Sequence, residues 1–263
     1  MKRFALIVFG FLLLFVINLF AQDLLQEADT YYDNRGEGFN QEKLIADSTN
    51  IDKAINLYKK VIETASGAEK EEATWKLMRA YYFKGKYTTD DKDTKKKIYD
   101  LGKDLGKTGL EEFSESVGIN LFSAILWGVW GEEYGVFKAA KEGVAGKIRK
   151  LCEKVIELDP NFDQGGGYRV LGRVYFKAPK IPLILGWPSK KKAVEYLEKS
   201  YEIAPKNLST RQFLAEALYS QNQKERAIQM MKGILAETET IDGIAEDAVI
   251  KSEAKATLAE WEK

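Results

Sequence analysis

The sequence predicts an all-α protein built as a solenoid of paired helices. Three observations carry this. Apolar residues recur at helical spacing along most of the 263 residues, and no convincing alternating strand pattern interrupts them. Proline is scarce, and three of the five prolines fall in one stretch, Pro179 to Pro188. Two helical stretches end alike, in Leu158-Asp159-Pro160-Asn161 and Ile203-Ala204-Pro205-Lys206-Asn207, and such self-similarity marks a repeat.

Each element follows in order. Ala54, Ile55, Tyr58 and Val61 form the apolar stripe of a second helix of one pair. Ala73-Thr74-Trp75-Lys76-Leu77, then Ala80-Tyr81-Tyr82 and Gly85-Lys86-Tyr87, match the first helix and turn of a tetratricopeptide repeat. Ile148, Cys152 and Val155 form another second helix. Leu171-Gly172 and Tyr175 fit first-helix slots, where a small residue lets two helices approach and an aromatic fills the groove between them. Ala193, Leu197 and Ser200 supply the paired second helix. Leu214-Ala215, Leu218 and Tyr219, then Ala227, Met231 and Ile234, make the next pair. Gly172 and Ala215 lie 43 residues apart, longer than the repeat of about 34, and the excess falls mostly at 178–185. The expected fold is a tetratricopeptide-like solenoid of about five pairs, closed by a capping helix near Asp242–Glu262. Asp159, Ser189 and Ser209 are the expected N-caps, and Asp33–Thr49 and Tyr87–Asp93 the polar loops.

Composition narrows the chemistry. Forty Lys and Arg balance forty Asp and Glu, which argues against a nucleic-acid binder held by bulk charge. With no His and one Cys, a Ser-His-Asp or Cys-His site, a His-based zinc site and an internal disulfide are excluded. The expectation is a non-enzyme with no metal and no cofactor. At the N-terminus, Lys2 and Arg3 precede an uncharged run from Phe4 to Phe20, then Ala21. This order predicts a secretory signal cut after Ala21, leaving one domain over 22–263; an uncleaved anchor is the rival. Acylation at the cut is not expected, because Cys152 is the only cysteine.

Candidate binding residues come from four patterns. Trp127, Trp130 and Tyr134 share a helix face, as a cleft lining or as solenoid core. Arg169 and Arg173 lie one turn apart and suit a carboxylate grip or ordinary ion pairs. The loop Ala178–Pro188 places Ile184 and Trp187 where polar residues are usual, so it either contacts a partner or a second copy, or folds back on the solenoid. Gly165-Gly166-Gly167 lacks the strand and spacing of a phosphate loop and reads as a connector.

The stretch Tyr168 to Pro179, with Arg169, Leu171-Gly172 and Ala178-Pro179, followed by Ala193 to Pro205 and Phe213-Leu214-Ala215-Glu216, resembles the tetratricopeptide T-component of TRAP transporters. The segment Leu121–Gly131 is similar to that family's Trp-bearing middle helix. The resemblance implies a periplasmic accessory protein that binds a solute-binding subunit, with a small organic acid or hydrophobic ligand as further partner. The alternative is a general scaffold for envelope protein assembly. A homo-oligomer would also suit the apolar loop and the aromatic stripe.

Overall fold

The computed structural model describes residues 20–179 and 186–263. Twelve helices run through them: α1 (residues 20–33), α2 (Thr49–Thr64), α3 (Gly67–Tyr87), α4 (Lys92–Glu112), α5 (Val117–Tyr134), α6 (Val136–Lys141), α7 (Val144–Leu158), α8 (Phe162–Lys177), α9 (Lys190–Ile203), α10 (Leu208–Tyr219), α11 (Lys224–Ala236) and α12 (Ile244–Trp261). Among the described residues there is no strand, only an isolated bridge between Asn40 and Ile45. The pairs are α1/α2, α3/α4, α5/α7, α8/α9 and α10/α11, with α12 as the cap. This is the predicted tetratricopeptide-like solenoid of five pairs and a closing helix.

The repeat slots explain the packing. Leu171, Tyr175, Ala193, Leu197 and Ser200 are all buried between α8 and α9. Gly172 is required where it stands, because a Cβ there would lie 2.5 Å from Leu197 Cγ. Ala227, Met231 and Ile234 are fully buried between α11 and its neighbours, and Cys152 is a fully buried small apolar group whose thiol pKa is pushed up by desolvation. Tyr219 stacks on Trp261 at 4.0 Å, which holds the cap on α10.

Ser189 caps α9 as predicted, accepting from the Lys192 N–H. The other two caps shift. Asn207, not Ser209, accepts from Thr210 N–H and starts α10, because the side chain that meets the free N–H groups lies at the junction with the preceding Pro turn. Asp159 ends α7, and Asn161 is the residue before α8.

The first helices line the inside of the solenoid and α2, α4, α9 and α11 form the outside. The superhelix also closes on itself. Arg35, just beyond α1, donates from Nε to Glu246 Oε1 at 2.8 Å and from a guanidinium nitrogen to the Asp242 carbonyl at 2.9 Å, both beside the start of α12. The first and last inner helices are thereby latched.

Glycines in the pairs separate two cases. Gly172→Ala should destabilise the protein by about 1–3 kcal/mol through overpacking. Gly128→Ala should stabilise it by about 0.5–1 kcal/mol, since a Cβ at Gly128 meets nothing nearer than Ile148 Cδ1 at 3.9 Å. Denaturant midpoints of the two variants against the parent decide this.

Candidate functional site

Closure creates a lumen of about 1100 Å³. One wall is apolar: Ile125, Val129, Val144, Ile148, Val170 and Val174. Another is polar and comes from α3, α10 and α12, with Arg79, Tyr82, Lys86, Gln212 and Glu253. Gly128 and Gly131 belong to the lining as well, so the missing side chains on α5 leave room inside.

The polar end is built around Arg35. Its guanidinium lies 4.4 Å from the Tyr32 ring centre, and the Arg79 guanidinium lies 3.8 Å from the same ring, so Tyr32 carries two cations. Opposite, α8 opens with a left-handed turn: Asp163 and Gln164 have φ of 49° and 58°, ahead of Gly165. Two adjacent non-glycine residues there cost roughly 1–2 kcal/mol each. Arg169 holds the turn, donating to Asp163 Oδ2 at 2.5 Å and to the Asp163 carbonyl at 3.2 Å. Asn207 Nδ2 reaches both Gln164 Oε1 at 3.3 Å and Asp242 Oδ1 at 2.9 Å. The Asp242 carboxyl is pushed up from 3.8 to about 6, chiefly by burial and further by the Asp247 carboxylate, against the pull of Arg169 and the Leu208 N–H. Burial also raises Glu246, against the pull of Arg35.

The predicted site residues fall on both sides of this geometry. Arg169 and Arg173 both line the lumen, but neither guanidinium awaits a ligand carboxylate. Arg169 pairs with Asp163, and Arg173 pairs with Glu216 of α10 at 2.6 Å while stacking 4.1 Å from the Phe213 ring centre. The grip reading gives way to the ion-pair reading, because the chain supplies its own anions. Trp127, Trp130 and Tyr134 do not line the lumen. Asp100 of α4 accepts from Trp130 Nε1 at 2.8 Å and from Tyr134 O–H at 2.6 Å, and Lys138 and Lys147 cover the outer ring faces. The hydrogen bond to Asp100 pushes the Tyr134 hydroxyl up to about 12. The stripe is α4–α5 packing. Trp187 is half-buried against Tyr175 at 4.6 Å and lines the lumen, so this end of the Pro-rich loop folds back. Ile184 lies outside the described residues, as does the apolar segment up to residue 19. Residues 20 and 21 are already helical, and Ala21 is fully buried. None of the described helices is long and apolar enough to cross a membrane. Arg35, Arg79, Lys86, Asp242 and Glu246 were not legible as a group, since α12 meets α1 and α3 only through closure.

Residues 24–262 match the family model described as regulator of microtubule dynamics protein 1-3. The chain belongs to this family. Over 130 residues it is 30% identical to regulator of microtubule dynamics protein 3 of Rattus norvegicus and, equally, to that of Mus musculus. The match covers 49% of this chain and 26% of each relative, so the chain spans well under half of those relatives' length. A thermophilic TPR protein of Thermus thermophilus shares the fold, with a TM-score of 0.59 over 92% of this chain and 98% of its own, at 14% identity. Family membership overturns the T-component resemblance, and with it the solute-binding-subunit partner, the organic-acid ligand that resemblance brought and the periplasmic location; for the scaffold alternative the TPR-like fold gives general support only. The physical reason lies in the residues that carried it. Leu171, Gly172 and Tyr175 are helix-packing slots, which any such pair needs whatever it binds.

Two outcomes test the closed end. Arg35→Ala leaves Glu246 buried without its partner and should cost about 3 kcal/mol, whereas Lys206→Ala in the exposed Lys206–Glu239 pair should change stability by less than about 0.5 kcal/mol. For Asp242, the folded state holds the proton more tightly than the unfolded chain. Its contribution is therefore full below 3.8 and lost as pH rises through about 6. Asp242→Asn should remove this slope from the pH dependence of the unfolding free energy.

Proposed function

We propose that this chain is a non-catalytic binding module that acts on microtubule dynamics by holding an extended, amphipathic segment of a protein partner in its lumen. The lumen is the observation that carries the reading. It lies between the two ends that Arg35 ties together and exceeds the roughly 300–1,000 Å³ of a typical small-ligand pocket. Its opposed apolar and polar walls suit a segment whose side chains alternate in character. Family membership supplies the biological setting. The carboxylates Asp163, Glu246 and Glu216 are each held by an arginine, which favours shape-keeping over proton transfer.

Blocking the lumen tests this. Gly128→Trp projects a bulky side chain into open space without displacing core atoms. In cell extract with dynamic microtubules imaged by fluorescence, the parent chain should alter growth or catastrophe frequency, and the Gly128→Trp chain, matched for helical content by circular dichroism, should not. Equal effects of both chains would remove the lumen from the mechanism. No effect of either would remove the microtubule role.

A further inference from the structure

One rim of the lumen has a composition unlike the rest of the molecule. It is formed by α6, the start of α7, the end of α8 and the approach to α9. Val136, Ala139, Ala140, Ala178, Pro179 and Trp187 from these segments all line the same opening. Residues 135–150, 177–179 and 186–192 hold nine Lys and Arg against a single acid, Glu142, in a chain whose forty basic and forty acidic residues balance overall; of the nine, Lys147 pairs with Glu142, Arg149 with Glu153 and Lys177 with Glu216, and Lys138 lies over the Tyr134 ring. Lys141, Lys150, Lys190, Lys191 and Lys192 are exposed there.

The same rim projects apolar side chains. Phe137 is 94% exposed and Val136 60% exposed, both on α6, which has no buried residue. The α3/α4 and α10/α11 pairs turn in four residues, whereas α5 reaches α7 through nine that include α6. Gly135 and Gly143 bracket α6 with φ of 87° and 64°, and nothing lies within 4 Å of a Cβ at either, so the helix is carried on two open connectors. Neither packing nor chain connection accounts for a phenylalanine aimed at solvent on a helix that also carries Lys138 and Lys141.

We propose that this rim docks on an anionic lipid bilayer, with Phe137 and Val136 entering the interface and the surrounding lysines meeting the headgroups. Charge complementarity picks an anionic surface, since each basic residue near such a membrane adds attraction. The shape picks a bilayer over an acidic protein. Phe137 stands on a protruding helix rather than in a groove, and a bilayer interface receives a projecting aromatic without a matching pocket. Docked this way, the membrane would lie across one mouth of the lumen. The inference stands apart from the microtubule reading and does not require it.

A single-site probe tests it. Cys152 is fully buried, so in the full chain Phe137→Cys provides the one thiol open to an environment-sensitive dye. Glu157→Cys, at the far end of α7, serves as the control. With phosphatidylserine-containing vesicles the dye at 137 should brighten and shift to the blue, the dye at 157 should not, and phosphatidylcholine vesicles should leave both unchanged. Replacing Lys141 and Lys191 by Ala should weaken the response by about an order of magnitude. A silent dye at 137 on anionic vesicles, as when residues 4–20 alone engage them, overturns the proposal. A response to microtubules but not to vesicles also overturns it, and assigns the rim to a protein surface.

Discussion

Arg35 joins the two ends of the molecule, and the lumen exists because it does. A helical solenoid needs only neighbour contacts, so nothing in the repeat itself requires its first and last inner helices to touch. Here Arg35 leaves the end of α1, stacks on Tyr32 and reaches both the side chain of Glu246 and the carbonyl of Asp242 at the start of α12. Both side chains of the pair are mostly shielded from water, at 14% and 13% exposure. Desolvating two charges is costly, so the pair specifies geometry more than it adds stability. Its hydrogen bonds tie the two edges of the superhelical groove together beside the start of α12.

The neighbouring groups serve the same end. Asp247 accepts from the Ile241 and Asp242 N–H groups and so fixes the turn into α12. Asn207 bridges Asp242 to Gln164, tying the cap helix to the left-handed turn of α8. Arg169 clamps that turn. The result is a polar network in which strain at Asp163 and Gln164 is held by several partners at once, as backbone in a rarely populated region must be. The lumen is therefore rigid and close to charge-balanced, whereas the α6 rim is loosely carried and basic.

The mistaken transporter resemblance has a specific origin. A helix pair demands a small residue at the crossing, an aromatic in the groove and a turn that stops the second helix. Gly172, Tyr175 and Pro205 meet those demands. They report how the helices pack and carry no information about a partner. Lumen-facing positions on α3, α8 and α12 are free of that constraint, so their pattern looks like ordinary helix surface. The Trp127–Tyr134 stripe misleads in the opposite direction: it resembles a binding face, yet it is spent on Asp100 and α4.

The sequence by itself determined the helical-pair architecture, the five-pair count, the capping helix and most of the buried slots, because these depend on spacing within one or two turns of helix. It also excluded histidine-based catalysis and an internal disulfide by composition. Only the tertiary structure decided where the ends of the chain meet, which arginines pair with which carboxylates, and that α6 stands out from the rim. Arg35 and Glu246 are 211 residues apart. Their contact follows from the summed rotation of every pair between them, and no local pattern records that sum.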